Sequence, residues 1–190
     1  GYDLSVYEPG FDLIGAEGLL PVAPIEIASS RQSLDMQAAD VDRDGDLDLV
    51  WIGFDTVDPN AATVAWFENS ASDGSAWQRH AISSTPAVGV IVADFDGDGD
   101  PDVAAAEDTL FWCENTSGGA AWTVHELASG LAPLQEGSVV LTAADHDSDG
   151  DLDLLVGSWE LDELRWFENK TSLSLEVARA GSPPNPSALM

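Results

Sequence analysis

The sequence predicts an all-β fold assembled from repeated four-stranded antiparallel sheets, and three observations predict it. An acidic stretch occurs three times, as DVDRDGDLDLV from Asp40, DFDGDGDPDVA from Asp94 and DHDSDGDLDLL from Asp145, at spacings of 54 and 51 residues. An aromatic stretch follows each copy: WFEN at Trp66, WCEN at Trp112 and WFEN at Trp166. Between them lie short apolar stretches punctuated by Gly, Ser, Asn and Asp, with no sustained helical period. Several motifs in a fixed order at one period define a repeat protein.

Each unit reads as four strands. The first precedes the acidic stretch, as in Ser138 to Ala144 (SVVLTAA), and the second follows it, as in Leu152 to Val156 (LDLLV). The third carries the aromatic motif, as in Leu164 to Glu168 (LRWFE), and turn-forming runs such as ENSASDGSA and ENTSGGAA end it. The fourth is clearest as WTVHEL from Trp122, with a counterpart in WQRHAISS from Trp77. PIEIASS from Pro24 matches the tail of this element from a preceding unit, and SLSLEVARA (Ser172 to Ala180) could supply the last one. Four strands in about 50 residues is the size of a β-propeller blade.

Three blades are fewer than the roughly four to eight of a closed propeller. Three arrangements therefore stay open: part of a larger propeller, two or three copies closing one ring, or an open array. The repeat domain spans 24–180, flanked by an N-terminal arm (1–23) and a Pro-rich tail (181–190) that do not match the repeat. The chain opens on Gly1, which is read as numbering that starts after processing or inside a longer precursor.

Composition narrows the partners. Six Lys plus Arg against 35 Asp plus Glu give a formal charge of -29. Nucleic acid and anionic membrane surfaces both require neutralising cations and are not expected as partners. A 44% apolar content with seven Trp and six Phe supplies a core. No run approaches the roughly 20 apolar residues of a membrane span, so direct insertion is not expected. The single Cys113 rules out an intrachain disulfide framework and is silent on compartment.

The acidic stretches carry the chemistry. Numbered from the first Asp, positions 1, 3, 5, 7 and 9 are Asp and position 6 is Gly in every copy. Alternating oxygen ligands with a Gly at the sharp turn suit a hard cation taking six to eight oxygens, and Ca²⁺ fits best. One Ca²⁺ per stretch gives about three. The side-chain ligands named are Asp40, Asp42, Asp44 and Asp48; Asp94, Asp96, Asp98 and Asp102; and Asp145, Asp147, Asp149 and Asp153. Asp46, Asp100 and Asp151 at position 7 are expected to offer the backbone carbonyl. An EF-hand is excluded, because its position 12 needs Glu and its flanks need helices; here that position holds Trp51, Ala105 and Val156 between strands.

D-x-D-x-D-G-D-x-D between apolar strands, followed by W-F-E-N at a period near 50, resembles the FG-GAP/VCBS repeats of integrin α-subunits and many secreted proteins. The resemblance covers roughly Pro24 to Arg179. It implies propeller blades whose first hairpin binds Ca²⁺ through the positions named above, in an extracellular, cell-surface or organelle-luminal setting. The FG and GAP signatures are poorly kept, which places the chain nearer the Trp-rich VCBS-like branch.

Other residues divide between packing and contact. Trp66, Trp112 and Trp166 share one strand position and are expected in the core. Trp51 and Trp159 are less regular and are candidates for exposed contacts. Cys113 stands where Phe67 and Phe167 stand and is expected to be a buried small hydrophobe. His80 and His125 share a position suited to a hydrogen bond beside a strand, and His146 points away from the ligand set. Asn115 and Asn169 begin N-x-S/T sequons, but Asn also suits a turn there, and both readings stay open. No nucleophile–base pair, His-rich Zn²⁺ site or phosphate loop is present, so a non-catalytic module for binding, adhesion or assembly is expected. A protein partner or self-association is the leading expectation. A carbohydrate-binding lectin, or the accessory propeller of a polysaccharide- or phosphodiester-acting enzyme, is the alternative.

Overall fold

The computed structural model describes residues 27, 31–55, 64–131, 139–170 and 175–178. The expected arm (1–23) and tail (181–190) lie outside the described residues, as does the PIEIASS stretch except for Ile27. The described residues form three four-stranded antiparallel sheets in the order β1-β2-β3-β4, β5-β6-β7-β8 and β9-β10-β11-β12. Blade 1 comprises β1 (Arg31–Ala39), β2 (Asp48–Asp55), β3 (Val64–Glu68) and β4 (Gln78–Ser83). Blade 2 comprises β5 (Gly89–Ala93), β6 (Asp102–Ala106), β7 (Leu110–Asn115) and β8 (Trp122–Ala128). Blade 3 comprises β9 (Val139–Ala144), β10 (Asp153–Ser158), β11 (Glu163–Asn169) and β12 (Leu175–Ala178). The stretch SLSLEVARA thus supplies the last strand: Leu175 pairs with Asn169 and Ala178 with Trp166.

Strand alternation explains how the blades stack. Central strands such as VAAA in β6 are apolar at successive positions, because both faces of a middle sheet are covered. One core lies between blades 1 and 2, joining Val50, Ile52, Val64 and Trp66 to Val90, Val103, Phe111 and Cys113. A second lies between blades 2 and 3, joining Ala104, Leu110 and Trp112 to Leu154, Val156 and Phe167. A third covers the far face of blade 1, where Trp51, Ala65 and Phe67 pack with Ile27.

Three expectations bear on this packing. Trp66 and Trp112 are core residues and Trp166 is half-buried. Cys113 is fully buried, and burial pushes its thiol up to about 12. Trp51 is not an exposed contact: it is 5% exposed, and its Nε1 donates to Ser33 Oγ at 2.8 Å. The reason is alternation, since Trp51 shares its repeat position with the buried Ala105 and Val156. Trp159 does project from the β10–β11 turn, at 83% exposure.

The hairpin turns between third and fourth strands also reach across blades. Gly119, with φ 76°, lies so close to Trp66 that a Cβ there would sit 2.6 Å from the indole Cζ2. Trp66 is enclosed by core side chains and has nowhere to retreat. Gly119→Ala should therefore cost about 2–5 kcal/mol, combining overpacking with left-handed backbone strain. Urea unfolding monitored by Trp fluorescence checks this.

Candidate metal centres

In each blade the acidic stretch is the hairpin between first and second strands. Positions 1–8 form the connection, and position 9 opens the second strand as Asp48, Asp102 or Asp153. These three carboxylates are buried beneath their hairpins. One oxygen accepts from the position-2 N–H: Val41 to Asp48 at 2.9 Å, Phe95 to Asp102 at 3.1 Å, His146 to Asp153 at 3.0 Å. The other accepts, at 2.8 Å in every blade, from the N–H of Asn69, Asn115 or Asn169. Position 9 thus ties the hairpin to the end of the third strand.

The remaining positions build the turn. The position-6 N–H (Gly45, Gly99, Gly150) returns to the position-1 carboxylate (Asp40, Asp94, Asp145) at 3.1–3.2 Å. The position-3 carboxylates of Asp42, Asp96 and Asp147 accept from the N–H groups of Asp44, Asp98 and Asp149. Position 5 in turn accepts from Asp46, Asp100 and Asp151. The position-6 glycines have φ of 93–103°, where a side chain would be strained. Position 4 is left-handed as well, at Arg43, Gly97 and Ser148, a feature that its varied residues hid in the sequence.

Ligand oxygens converge within 4.8 Å in three groups: Asp40, Asp42 and Asp48; Asp94, Asp96 and Asp102; Asp145, Asp147 and Asp149. Asp44 and Asp98 fall outside the first two groups, and Asp149 takes the place of Asp153 in the third. At position 7, Asp100 turns to Arg43 of the preceding hairpin (2.8 Å), whereas Asp46 has both oxygens buried without a hydrogen-bond partner. Asp40 Oδ1 is in the same condition. Buried anionic oxygens without a donor fit a cation, so the residues present suit a hard metal ion.

Electrostatics agree. Burial, reinforced by Asp44, Glu68 and Asp40, raises Asp42 above the ordinary carboxylate range. Burial and neighbouring acids raise Asp96 and Asp147 likewise. Burial pushes Asp102 up to about 6, against the opposing effect of its two backbone N–H bonds.

The Asn of the aromatic motif has a role that the sequence reading did not assign. Asn115 Nδ2 donates to the carbonyls of Val41 (3.0 Å) and Pro101 (3.2 Å), and Asn169 Nδ2 donates to those of Phe95 (2.7 Å) and Leu152 (3.2 Å). Each Asn therefore grips position 2 of the preceding blade's hairpin, 74 residues earlier. The Oδ1 of Asn115 accepts from Gly119 N, and that of Asn69 from Gly74 N, closing the turns that follow. In this fold the side-chain nitrogens of both sequon asparagines are buried and engaged, and the turn reading holds at Asn115, whose Oδ1 closes the turn that follows. The only available signal was the Asn at the end of all three aromatic motifs.

The histidines pair beside the strands as expected. His80 bonds Glu68 at 2.7 Å and stacks on Trp66; His125 bonds Glu114 at 2.8 Å and stacks on Trp112. His146 turns from its hairpin and meets Trp166 edge-on.

Blade-like sheets, each closed by an acidic hairpin suited to a metal ion, define a propeller-type repeat module. Residues 40–105, from the first hairpin into β6, match the family model for the FG-GAP-like repeat. Over that segment the chain is similar to the FG-GAP-like repeat. No curated protein matches it. No helix among the described residues is long and apolar enough to cross a membrane.

The sign of one pH effect follows from Asp102. Its folded pKa of about 6 exceeds its ordinary 3.8, so in metal-free protein its contribution is fully present below pH 3.8 and lost as pH rises through 6. The loss is about 3 kcal/mol. Chelated protein should become less stable between pH 4 and 7, and Ca²⁺ should flatten that slope in urea titrations.

Proposed function

We propose that the chain is a non-catalytic Ca²⁺-stabilised propeller module that serves in binding, adhesion or assembly outside the cell or in an organelle lumen. The observation that carries this reading is the hairpin itself, built three times on one hydrogen-bond pattern around convergent carboxylates. Asp40, Asp42 and Asp48, with their counterparts, would hold the ion, and Asp46 is placed to join the first site through its unpartnered oxygens. Bound Ca²⁺ would supply charge neutralisation that lets buried carboxylates stay ionised and keep their backbone N–H bonds. It would stiffen the hairpin rather than act on a substrate.

The fate of the other reactive groups supports the absence of catalysis. The buried Cys113 is kept as a thiol, and His80 and His125 are stacked on tryptophan and bonded to glutamate. Extracellular modules of this kind bind Ca²⁺ at roughly 10⁻⁴ to 10⁻³ M, which suits the proposed compartment.

The test is a thermal melt with and without chelator. A site held at a hundredfold its Kd contributes about 2.7 kcal/mol, and each kcal/mol moves a domain of this size by about 2–4 °C. Excess EDTA should lower Tm by about 10 °C or more, and added Ca²⁺ should restore it. An unchanged melt overturns the structural role of the metal.

A second reading, carbohydrate binding, is favoured by Trp159, whose exposed indole flanks a groove of about 600 Å³ that Asp162 and Glu163 also line. An indole face with carboxylates beside it suits stacking and hydrogen bonding to a sugar ring. Glycan-array binding that disappears in Trp159→Ala is the outcome this reading requires.

A further inference from the structure

The two internal joints between blades state what a blade face needs, and the same face of blade 3 lacks it. Val64, Leu110 and Leu164 share one repeat position on the face directed to the next blade. Val64 and Leu110 are fully buried by that next blade, whereas Leu164 is 71% exposed. Val140 on β9 is beside it at 67% exposure, across the strand pair from Gly157. The clasp repeats the pattern. Val41 and Phe95 carbonyls each accept from an Asn side chain of the next blade, and His146 carbonyl at that position has no such donor among the described residues.

The other end of the chain carries the matching half. Met36 lies beside Trp51 on the far face of β1 and is 52% exposed, while Val90 and Leu141 at its repeat position pack against a preceding blade. Asn69 Nδ2 has no carbonyl acceptor among the described residues, unlike Asn115 and Asn169. Inside the chain, inner strands meet at these positions: Val90 N donates to Asp35 Oδ2 at 3.0 Å, and Gly89 approaches the Val139 carbonyl and Leu141. Asp35 and Gly89 correspond to Val140, and Val90 and Leu141 correspond to Met36.

We propose that a second copy of this chain docks head to tail, setting its blade 1 against the free face of blade 3. Met36 of one copy then lies beside Val140 of the other, and its Asn69 amide donates to the His146 carbonyl. Trp51, Ala65 and Phe67 on that face of blade 1 are already buried, with Ile27 packed against them, so joining requires this cover to be displaced by the neighbour's Leu164 and Trp166. Such a joint is heterologous, and it closes a ring or extends according to the rotation per blade. The formal charge of -29 per chain opposes contact, so association strengthens with salt. The inference rests on blade packing and is independent of what the metal does.

The experiment is light scattering on the 190-residue chain in Ca²⁺ and roughly physiological salt, where the Debye length is about 8 Å, across a concentration series. Masses should rise towards multiples of 20.0 kDa, and Leu164→Asp, an exposed site, should return the mass to 20.0 kDa with an unchanged melt. The double variant Met36→Cys with Val140→Cys should form disulfide-linked ladders under mild oxidation, while Val140→Cys alone should not. A 20.0 kDa mass at every concentration overturns the proposal, including the case where glycan occupies Trp159 on a monomer. So does a mass unmoved by Leu164→Asp, or cross-linking by Val140→Cys alone, which signals face-to-face pairing.

Discussion

The structure depends on a carboxylate buried at the first residue of each second strand. Asp48, Asp102 and Asp153 each accept one backbone N–H from the hairpin and one from the end of the third strand. A buried acid with both oxygens bonded to the main chain fixes three chain segments at once, and an unbonded one would be prohibitive. The N–H of position 2 is held within its own blade, while the carbonyl of the same residue is held by the Asn of the next. Hairpin geometry and blade packing are therefore one network. Disturbing the acidic turn reaches the neighbouring blade through a single residue, Val41 or Phe95.

The charged form of this carboxylate is the stronger acceptor for its two backbone N–H groups. Burial opposes the charge, as the elevated Asp102 shows, and backbone donors offset only part of the effect. The position-3 acids Asp42 and Asp96 add repulsion to Asp48 and Asp102. A dication resolves both costs, and Arg43 reaching Asp100 shows the protein placing a cation of its own between two hairpins. Three dications at two charges each would take the formal charge only from -29 to -23. The rest of the acidity, shared between these stretches and the remainder of the chain, favours solubility.

Much of this was legible in the sequence because local features encode it. The Asp spacing, the position-6 Gly and the alternation of the central strands fix hairpin and blade within about 50 residues. Trp51 was misread because its aromatic character was weighed above its repeat position, which it shares with Ala105 and Val156. The Asn clasp was obscured for a different reason: its partner lies 74 residues away in another blade, and no local pattern reports a side chain reaching that far. The position-4 conformation was hidden because Arg43 and Ser148 adopt a left-handed backbone that glycine usually marks.

Repeat position alone does not settle burial, as Val64, Leu110 and Leu164 demonstrate. All three are apolar and share one repeat position, yet among the described residues only the first two have a neighbouring blade to enter. Burying such a side chain is worth about 1.5–3 kcal/mol, so each joint stabilises both blades that form it. In a repeat array this makes stability a sum of nearest-neighbour terms. Blade 2, gripped by cores on both faces and by Asn clasps on both sides, is the most constrained unit. Blade 3 has one internal joint and presents its other face, with Leu164, Val140 and the His146 carbonyl, in the form of half an interface. The sequence thus specifies the joint at every blade, and the neighbour decides whether it is made.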